Sequence, residues 1–418
     1  MFTFLLNAVK IIFLLGFLVL IHEGGHFLVA KLFKVKVNEF SIGFGKKILS
    51  KQKGETTYSL RIIPLGGFVS MLGEEERSED ERSFSRQSIP KRIAIVAAGG
   101  LVNIFFGLAV YFIILACLGN FVSKTIDRLV ADYGAEKAGI MAGDEIVSVN
   151  GRHIFITKDV NAIVLKNKDK DLTVAIKRNG EKKEFTVKPT EVKTRSLGIY
   201  VESNDGERTK VSYIFEESTT KDILKVGDVI TKINDTYVEN DYDALVESLN
   251  NSTGEVNIRY KRDGKELESV VTPIEVSNYY LGVVFRPANK DLGTRLYYAW
   301  FETGNFAISL AENVKSIFTA KVSVDQMMGP IGISKTVAST STFYEFIYLM
   351  ALISLSLGVT NLLPIPALDG GKILILLIEA IRRKPMKQEL EIGIQFIGFA
   401  FLIALSVYVG YMDVLRFF

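Results

Sequence analysis

Cysteine is almost absent from this sequence: Cys117 stands alone among 418 residues, so no intrachain disulfide can form. It lies in an apolar run, where a lone thiol is expected to be a small buried residue. Histidine is nearly as scarce, with only His22, His26 and His153, so a histidine-based metal site has few members to draw on. No arginine-rich or aromatic-interleaved run is present, and nucleic acid is not an expected partner. The net charge is only +3, and its distribution says more than its sum. What the chain has in quantity is apolar residues, 48%, beside 23% charged ones. That mixture fits neither an ordinary soluble enzyme nor a simple bundle of membrane helices. It points to apolar spans carrying a soluble insert.

Four apolar stretches run from Ile11 to Ala30, Ile93 to Ser123, Phe346 to Leu368 and Ile392 to Met412. A helix needs roughly 20 apolar residues to cross the hydrocarbon core, and each stretch is long enough. A further apolar piece, Ile373 to Ile378, is expected to continue the third element after a break. The first stretch carries His22, Glu23 and His26 near its far end. A cleaved leader has no use for them, so it reads as a retained span. Lysine and arginine crowd the connection between the first two spans, from Lys31 through Arg77 to Arg92, and Arg382, Arg383, Lys384 and Lys387 fill the last connection. Both connections should face the cytoplasm. The termini and the segment 124–342 should face outward, since large domains translocate largely regardless of charge.

The long segment contains a repeat. Gly143-Asp-Glu-Ile-Val-Ser-Val-Asn150 recurs from Gly227 to Asn234, Arg178 recurs at Arg262, and Leu197-Gly-Ile-Tyr-Val201 recurs from Leu281 to Phe285, all shifted by the same 84 residues. Equal offsets argue for tandem copies of one domain. Alternating strands such as Leu172–Ile176 accompany one helical stretch per copy, near 157–166 and 241–250. The run Ala138–Ile146 resembles bacterial PDZ domains, which bind extended peptide at a sheet edge. A spacer or size filter is the alternative role. The expected architecture is a polytopic α-helical membrane protein with four transmembrane helices, a membrane-associated β-hairpin at 54–73 and two inserted β-rich PDZ-like domains. The divisions are 1–123 for an N-terminal membrane part, 124–196 and 197–288 for the PDZ-like pair, 289–342 for an amphipathic connection and 343–418 for a C-terminal membrane part. The connection is expected either on the outer membrane surface or packed as an ordinary helix.

His22-Glu23-Gly24-Gly25-His26 is an HExxH motif. On a helix its two histidines share one face, and both imidazoles reach one zinc ion at about 2.0–2.1 Å. Glu23 then sits beside the metal as a base for bound water. Charged groups inside a span cost at least ~2.5–3.5 kcal/mol each, and a bound Zn2+ compensates. A third protein ligand leaves one position open for water. His153 follows the Val-Asn-Gly turn of the first repeat and reads as a surface residue. Asp369 is the better candidate. It lies in Asn361-Leu-Leu-Pro-Ile-Pro-Ala-Leu-Asp-Gly-Gly371, where Pro364 and Pro366 break helical bonding and the glycines let the chain turn.

Together, HExxH in the first span, two PDZ-like repeats and the late N-x-x-P-x-P-x-L-D-G resemble the site-2 protease family, in particular its bacterial RseP/RasP branch. Pro64–Leu72 resembles that family's membrane-reentrant hairpin, and Gly99-x-x-x-Asn103 and Met328-Gly-Pro-Ile-Gly332 add to the likeness. The chain has Gly100 where the family often has proline. The resemblance implies that His22, His26 and Asp369 bind zinc and Glu23 is the catalytic base. It implies that Asn361 bonds substrate or the oxyanion and that Asn103 helps to hold the site. It further implies a bacterial cell-membrane enzyme, its active site toward the cytoplasm and its PDZ-like pair outside. Such an enzyme cuts transmembrane segments of membrane proteins, an anti-sigma factor or remnant signal peptides among them. A zinc-binding scaffold without turnover is the runner-up, opposed by an intact Glu23. A metal transporter would show several metal-binding side chains along a path, and only one cluster is visible. The sequence does not specify an oligomeric state.

Overall fold

The computed structural model describes residues 2–74, 76, 78–201, 208–215, 217–318, 329–340 and 342–417; Arg77 and Met328, named above, fall outside them. Two units emerge: Met1–Gly119 with Arg295–Phe418, and Asn120–Thr294.

The first unit opens with helix α1 (Phe2–Leu32). A long helix that is apolar on every side is either buried in a large core or spans a membrane. Strands β1 (Val37–Lys53) and β2 (Thr56–Met71) follow. Gly43 and Gly45, both at φ 84°, bend β1 where a side chain would be strained. The bend divides the pair into a four-ribbon sheet. Residues 47–53 pair antiparallel with 56–61, residues 37–42 pair antiparallel with 67–71, and 39–42 rise in step with 57–60 between them. The sheet therefore starts at Val37, well before the hairpin expected at 54–73. The glycine break hid the alternation of its first ribbon. Helix α2 (Ile89–Leu118) starts with proline in its first turn, where the missing N–H costs nothing.

The second unit follows in chain order: β3 (Val122–Leu129), α3 (Gly134–Lys137), β4 (Glu145–Val149), β5 (Arg152–His153), α4 (Thr157–Asn167), β6 (Leu172–Arg178), β7 (Glu181–Val187), β8 (Thr190–Ser196), β9 (Ile199–Val201), β10 (Val211–Ile214), β11 (Val229–Ile233), β12 (Thr236–Tyr237), α5 (Tyr242–Asn250), β13 (Val256–Arg262), β14 (Lys265–Val271), β15 (Ile274–Tyr280) and β16 (Val283–Pro287). Two cores form, one around Ile146, Leu172 and Ile176, the other around Ile230, Ile258 and Val256. Each fully buried aliphatic side chain contributes roughly 1.5–3 kcal/mol. The repeat holds at atomic detail: Arg178 Nε donates to Asp144 Oδ1 at 2.7 Å, and Arg262 Nε to Asp228 Oδ1 at 2.8 Å. Terminal strands are exchanged. β16 pairs with β3 and β9 with β10, so Leu281 joins the first core and Leu197 the second. His153 is exposed, its ring edge-on to Phe155.

The first unit resumes along α6 (Leu292–Phe318) and continues through α7 (Pro330–Ser339), α8 (Phe343–Asn361), α9 (Asp369–Arg382) and α10 (Gln388–Phe417). Phe306 of α6 packs on Tyr111 of α2, with ring centroids 4.6 Å apart. Helix α8 is started by a reciprocal cap between Thr342 and Glu345. It packs tightly on α2 because three contacts lack side chains. A methyl at Gly100 would stand 2.9 Å from Gly358 O, one at Gly107 2.7 Å from Ala351 O, and one at Gly358 2.5 Å from Gly100 O. Small residues are what let helices meet closely in a membrane. The third apolar stretch is not one helix to Leu368: α8 ends at Asn361, and Asp369 opens the separate α9.

Among the described residues, four helices are long and apolar enough to cross a membrane: Leu5–Leu32, Ile89–Leu118, Phe343–Asn361 and Gln388–Leu415. Cys117 is exposed on α2, contrary to the burial expected from its apolar setting. The outside of an apolar span faces hydrocarbon, so a thiol there need not enter a protein core.

Candidate metal centre

Two turns near the C-terminal end of α1 carry His22, Glu23 and His26. The helical spacing of four brings the imidazoles together, with Nε2 of His22 3.2 Å from Nε2 of His26. The third member comes from far along the chain. Asp369 Oδ2 lies 3.3 Å from His22 Nε2 and 3.5 Å from His26 Nε2. The loop before it is held by contacts no side chain would permit: a methyl on Gly370 would stand 2.1 Å from Leu363 O, and one on Gly371 2.4 Å from Ile365 O. Ala367, at φ 75°, takes a left-handed conformation that costs a residue with a Cβ about 1–2 kcal/mol. Its N–H donates to the Gln395 side chain of α10, which helps to hold that turn. The strain is stored two residues before the carboxylate.

These three side chains fit a divalent metal. Asp369 Oδ2 is buried without a hydrogen-bond partner, although two imidazole nitrogens lie within 3.5 Å. Three lone-pair atoms thus face one another, which is repulsive unless a cation or proton stands between them. Tetrahedral zinc with bonds of about 2.0–2.2 Å sets its ligand atoms about 3.3–3.6 Å apart, and the observed separations of 3.2, 3.3 and 3.5 Å lie within about 0.1 Å of that spacing.

Surrounding groups orient the imidazoles. His26 Nδ1 is 2.9 Å from Ile95 O, so Nδ1 carries the proton and Nε2 keeps its lone pair. Gly99 leaves the necessary room, since a methyl there would stand 2.4 Å from His26 Nε2. Against His22 Nδ1 lie Asn103 Nδ2 at 3.4 Å and Asn361 Nδ2 at 3.5 Å. Asn103 is fully buried and its Oδ1 has no partner. Turned end for end, that amide accepts from Nδ1–H of His22 and frees Nε2 for a metal. Ser354 Oγ donates to Asn103 O at 2.9 Å, tying α8 to α2 at this level. Glu23 is partly buried beside the last ribbon of the sheet, where a methyl on Gly67 would stand 3.5 Å from its Cγ.

The structure therefore brings His22, His26 and Asp369 together, with Asn103 and Asn361 against the far side of His22. His153, in the other unit, forms no part of this cluster. Sequence reasoning missed the Ile95 carbonyl, Ser354 and Gln395, and no side-chain pattern announces a backbone acceptor. It also missed the ion pair of Lys372 Nζ with Glu74 Oε1 at 2.8 Å, although Lys372 lies one helical turn beyond Asp369.

The profile of peptidase family M50 matches residues 10–405. The chain is 30% identical over 410 residues to a Clostridium acetobutylicum protein carried as a candidate zinc metalloprotease, covering 98% of this chain and 97% of that one. It is 29% identical over 448 residues to the regulator of sigma E protease of Haemophilus influenzae, covering 99% and 100%. It is 30% identical over 445 residues to the regulator of sigma-W protease RasP of Bacillus subtilis, covering 99% and 100%. With a match of that extent, the chain belongs to peptidase family M50.

Proposed function

We propose that this chain is a zinc metalloendopeptidase of the site-2 type that hydrolyses peptide bonds within transmembrane segments of other proteins. The observation that carries it is the convergence of His22 Nε2, His26 Nε2 and the partnerless Asp369 Oδ2 within 3.5 Å of one another. Those three residues would hold the ion. When bound, zinc supplies a Lewis acid that brings the pKa of a coordinated water toward ~7 and polarises a carbonyl.

The remaining work falls to the chain. Glu23 takes the proton of the attacking water and returns it to the leaving nitrogen. His26, bonded to Ile95 O, keeps its ligand nitrogen aimed. Asn103 orients His22, and Asn361 donates to the substrate carbonyl or the developing oxyanion. A helical substrate hides its carbonyls and must be locally extended. Ribbon 67–71 pairs only with 37–42 among the described residues and passes beside Glu23, which supports holding the substrate by strand addition.

The four apolar helices and the lysine-rich connections support a bacterial cell-membrane protein with its centre toward the cytoplasm. The two modules of the second unit, expected as PDZ-like domains at 124–196 and 197–288 but with β16 (Val283–Pro287) exchanged into the first, stand outside and filter or bind substrates. The names of the two sigma-pathway relatives support an anti-sigma factor as one substrate.

The test is cleavage of a purified transmembrane reporter by full-length protein in detergent. Wild type cuts it, and Glu23→Gln retains zinc but does not cut. Cleavage by Glu23→Gln, or zinc uptake into vesicles without proteolysis, overturns the reading.

A further inference from the structure

The β1–β2 sheet has two unlike faces. On one, Glu39 accepts from Arg61 at 2.8 Å and from Lys47 at 3.0 Å, and Ser59 bonds Ser41 at 3.0 Å. That face is polar and internally satisfied. On the other lies an open groove of about 450 Å³ whose lining includes Phe40, Ile42, Leu49, Tyr58, Leu60 and Lys51. Phe27 of α1, the neighbour of His26, packs on Phe40 and Tyr58 with centroids 5.2 and 6.0 Å away. Leu49 is 65% and Leu60 37% exposed, and Ile62, two residues on from Leu60 along the strand, is 56% exposed. So much contiguous apolar surface marks a contact with lipid or another molecule.

Charge decides which. Lys47 and Lys31 are paired with Glu39 and Glu55. Lys46, Lys51 and Lys53 are exposed and have no ion-pair partner among the described residues. Lys51 sits opposite Tyr58 in the pairing, at the groove. An apolar slot with an unpaired cation at its rim matches a chain-bearing anion. A peptide is a poorer fit, because the face of a sheet offers none of the free N–H and C=O groups that an extended backbone must bond; those lie at the edges.

We propose that this groove binds an anionic phospholipid, its acyl chain along Phe40, Ile42, Leu49 and Leu60 and its phosphate at Lys51, with Lys46 and Lys53 adding to the attraction. The site rests on the membrane orientation proposed above, which puts the lysines at the anionic cytoplasmic leaflet. A lipid seated there braces the sheet against Phe27, one residue from the metal-facing His26, and so couples the centre to membrane composition.

The experiment uses full-length protein in nanodiscs of phosphatidylcholine alone or mixed with phosphatidylglycerol, with lipid retention counted by native mass spectrometry and reporter cleavage measured in parallel. Wild type should retain phosphatidylglycerol in preference to phosphatidylcholine. The triple variant Lys46→Gln, Lys51→Gln, Lys53→Gln should lose that preference, by roughly fivefold for each lysine, while keeping its zinc and its cleavage rate in phosphatidylcholine. Lipid retention does not depend on proteolysis, so its outcome stands apart from that of the protease reading. Equal retention of the two lipids by wild type overturns the site, as does an undiminished preference in the triple variant. A photo-crosslinker at Leu49 that captures the reporter peptide instead of lipid overturns it too.

Discussion

His26 Nδ1 stands 2.9 Å from the carbonyl oxygen of Ile95 on the neighbouring helix, and that contact fixes which imidazole nitrogen faces His22 and Asp369. One turn beyond Ile95 comes Gly99, where a methyl would stand 2.4 Å from His26 Nε2 and 2.7 Å from His22 Cε1. The helix backbone cannot retreat, so the imidazoles must. Gly99→Ala is expected to fold yet lose zinc affinity by at least ~10-fold, in the range seen when groups supporting metal ligands are removed. Gly24→Ala meets nothing within 4 Å and should bind as wild type does. Chelator competition, with thermal melting as the folding control, separates the two.

Helix α7 is strapped at both ends. Fully buried Asp413 of α10 accepts from Gly332 N at 2.8 Å and Gly329 N at 3.3 Å, and Lys10 of α1 donates to Thr340 O at 2.8 Å. A carboxylate at the N-terminus and an ammonium past the C-terminus both oppose the helix dipole. Between them Val337 packs with Leu14 and Leu18 of α1 and Met350 of α8. Asp413→Ala should loosen α7 by about 1–2 kcal/mol, the cost of a lost N-cap. Hydrogen exchange across 330–339 should rise about 5- to 30-fold, since 1.4 kcal/mol is a factor of ten, with less change for Lys10→Ala.

The first repeat of the second unit carries a pH dependence through Asp144. Burial pushes the Asp144 carboxyl up, but its bonds from Arg178 and from the Met141 N–H outweigh this and leave it below the usual aspartate value. A carboxylate so lowered stabilises the fold fully above the unfolded-chain value near ~3.9, and that contribution is lost as pH falls through the folded value. Exchange along β4 should therefore accelerate on acidification below about pH 4, and Arg178→Ala should remove much of that acid step. In the second module, Arg262→Ala strands buried Asp228, at a cost of roughly 3–5 kcal/mol visible as lost protection along β11.

The spans, the HExxH turn and the repeat were legible because each is a local pattern: length, i to i+4 spacing and an equal offset. Asp369 was legible as a lone carboxylate in a proline-broken apolar run, where a metal partner explains it better than a helix cap or an interfacial carboxylate does. The start of α9 at that residue was not, because a proline break shows where a helix fails and not where the next begins. The exchange of β9 and β16 was hidden for a different reason. Strand pairing depends on partners far along the chain, and two repeats of one pattern offer a similar strand to either core. Cys117 misled because the sequence rule for thiols describes water-soluble interiors.

Zinc X-ray absorption of full-length Glu23→Gln, which should keep the site without turning over, tests the central claim most directly. The account predicts one zinc per chain with two imidazole nitrogens at about 2.0–2.1 Å and carboxylate oxygen at about 2.0–2.2 Å, and loss of the oxygen contribution or of the metal in an added Asp369→Ala. A zinc shell unchanged by that substitution, or no zinc at all, would contradict it.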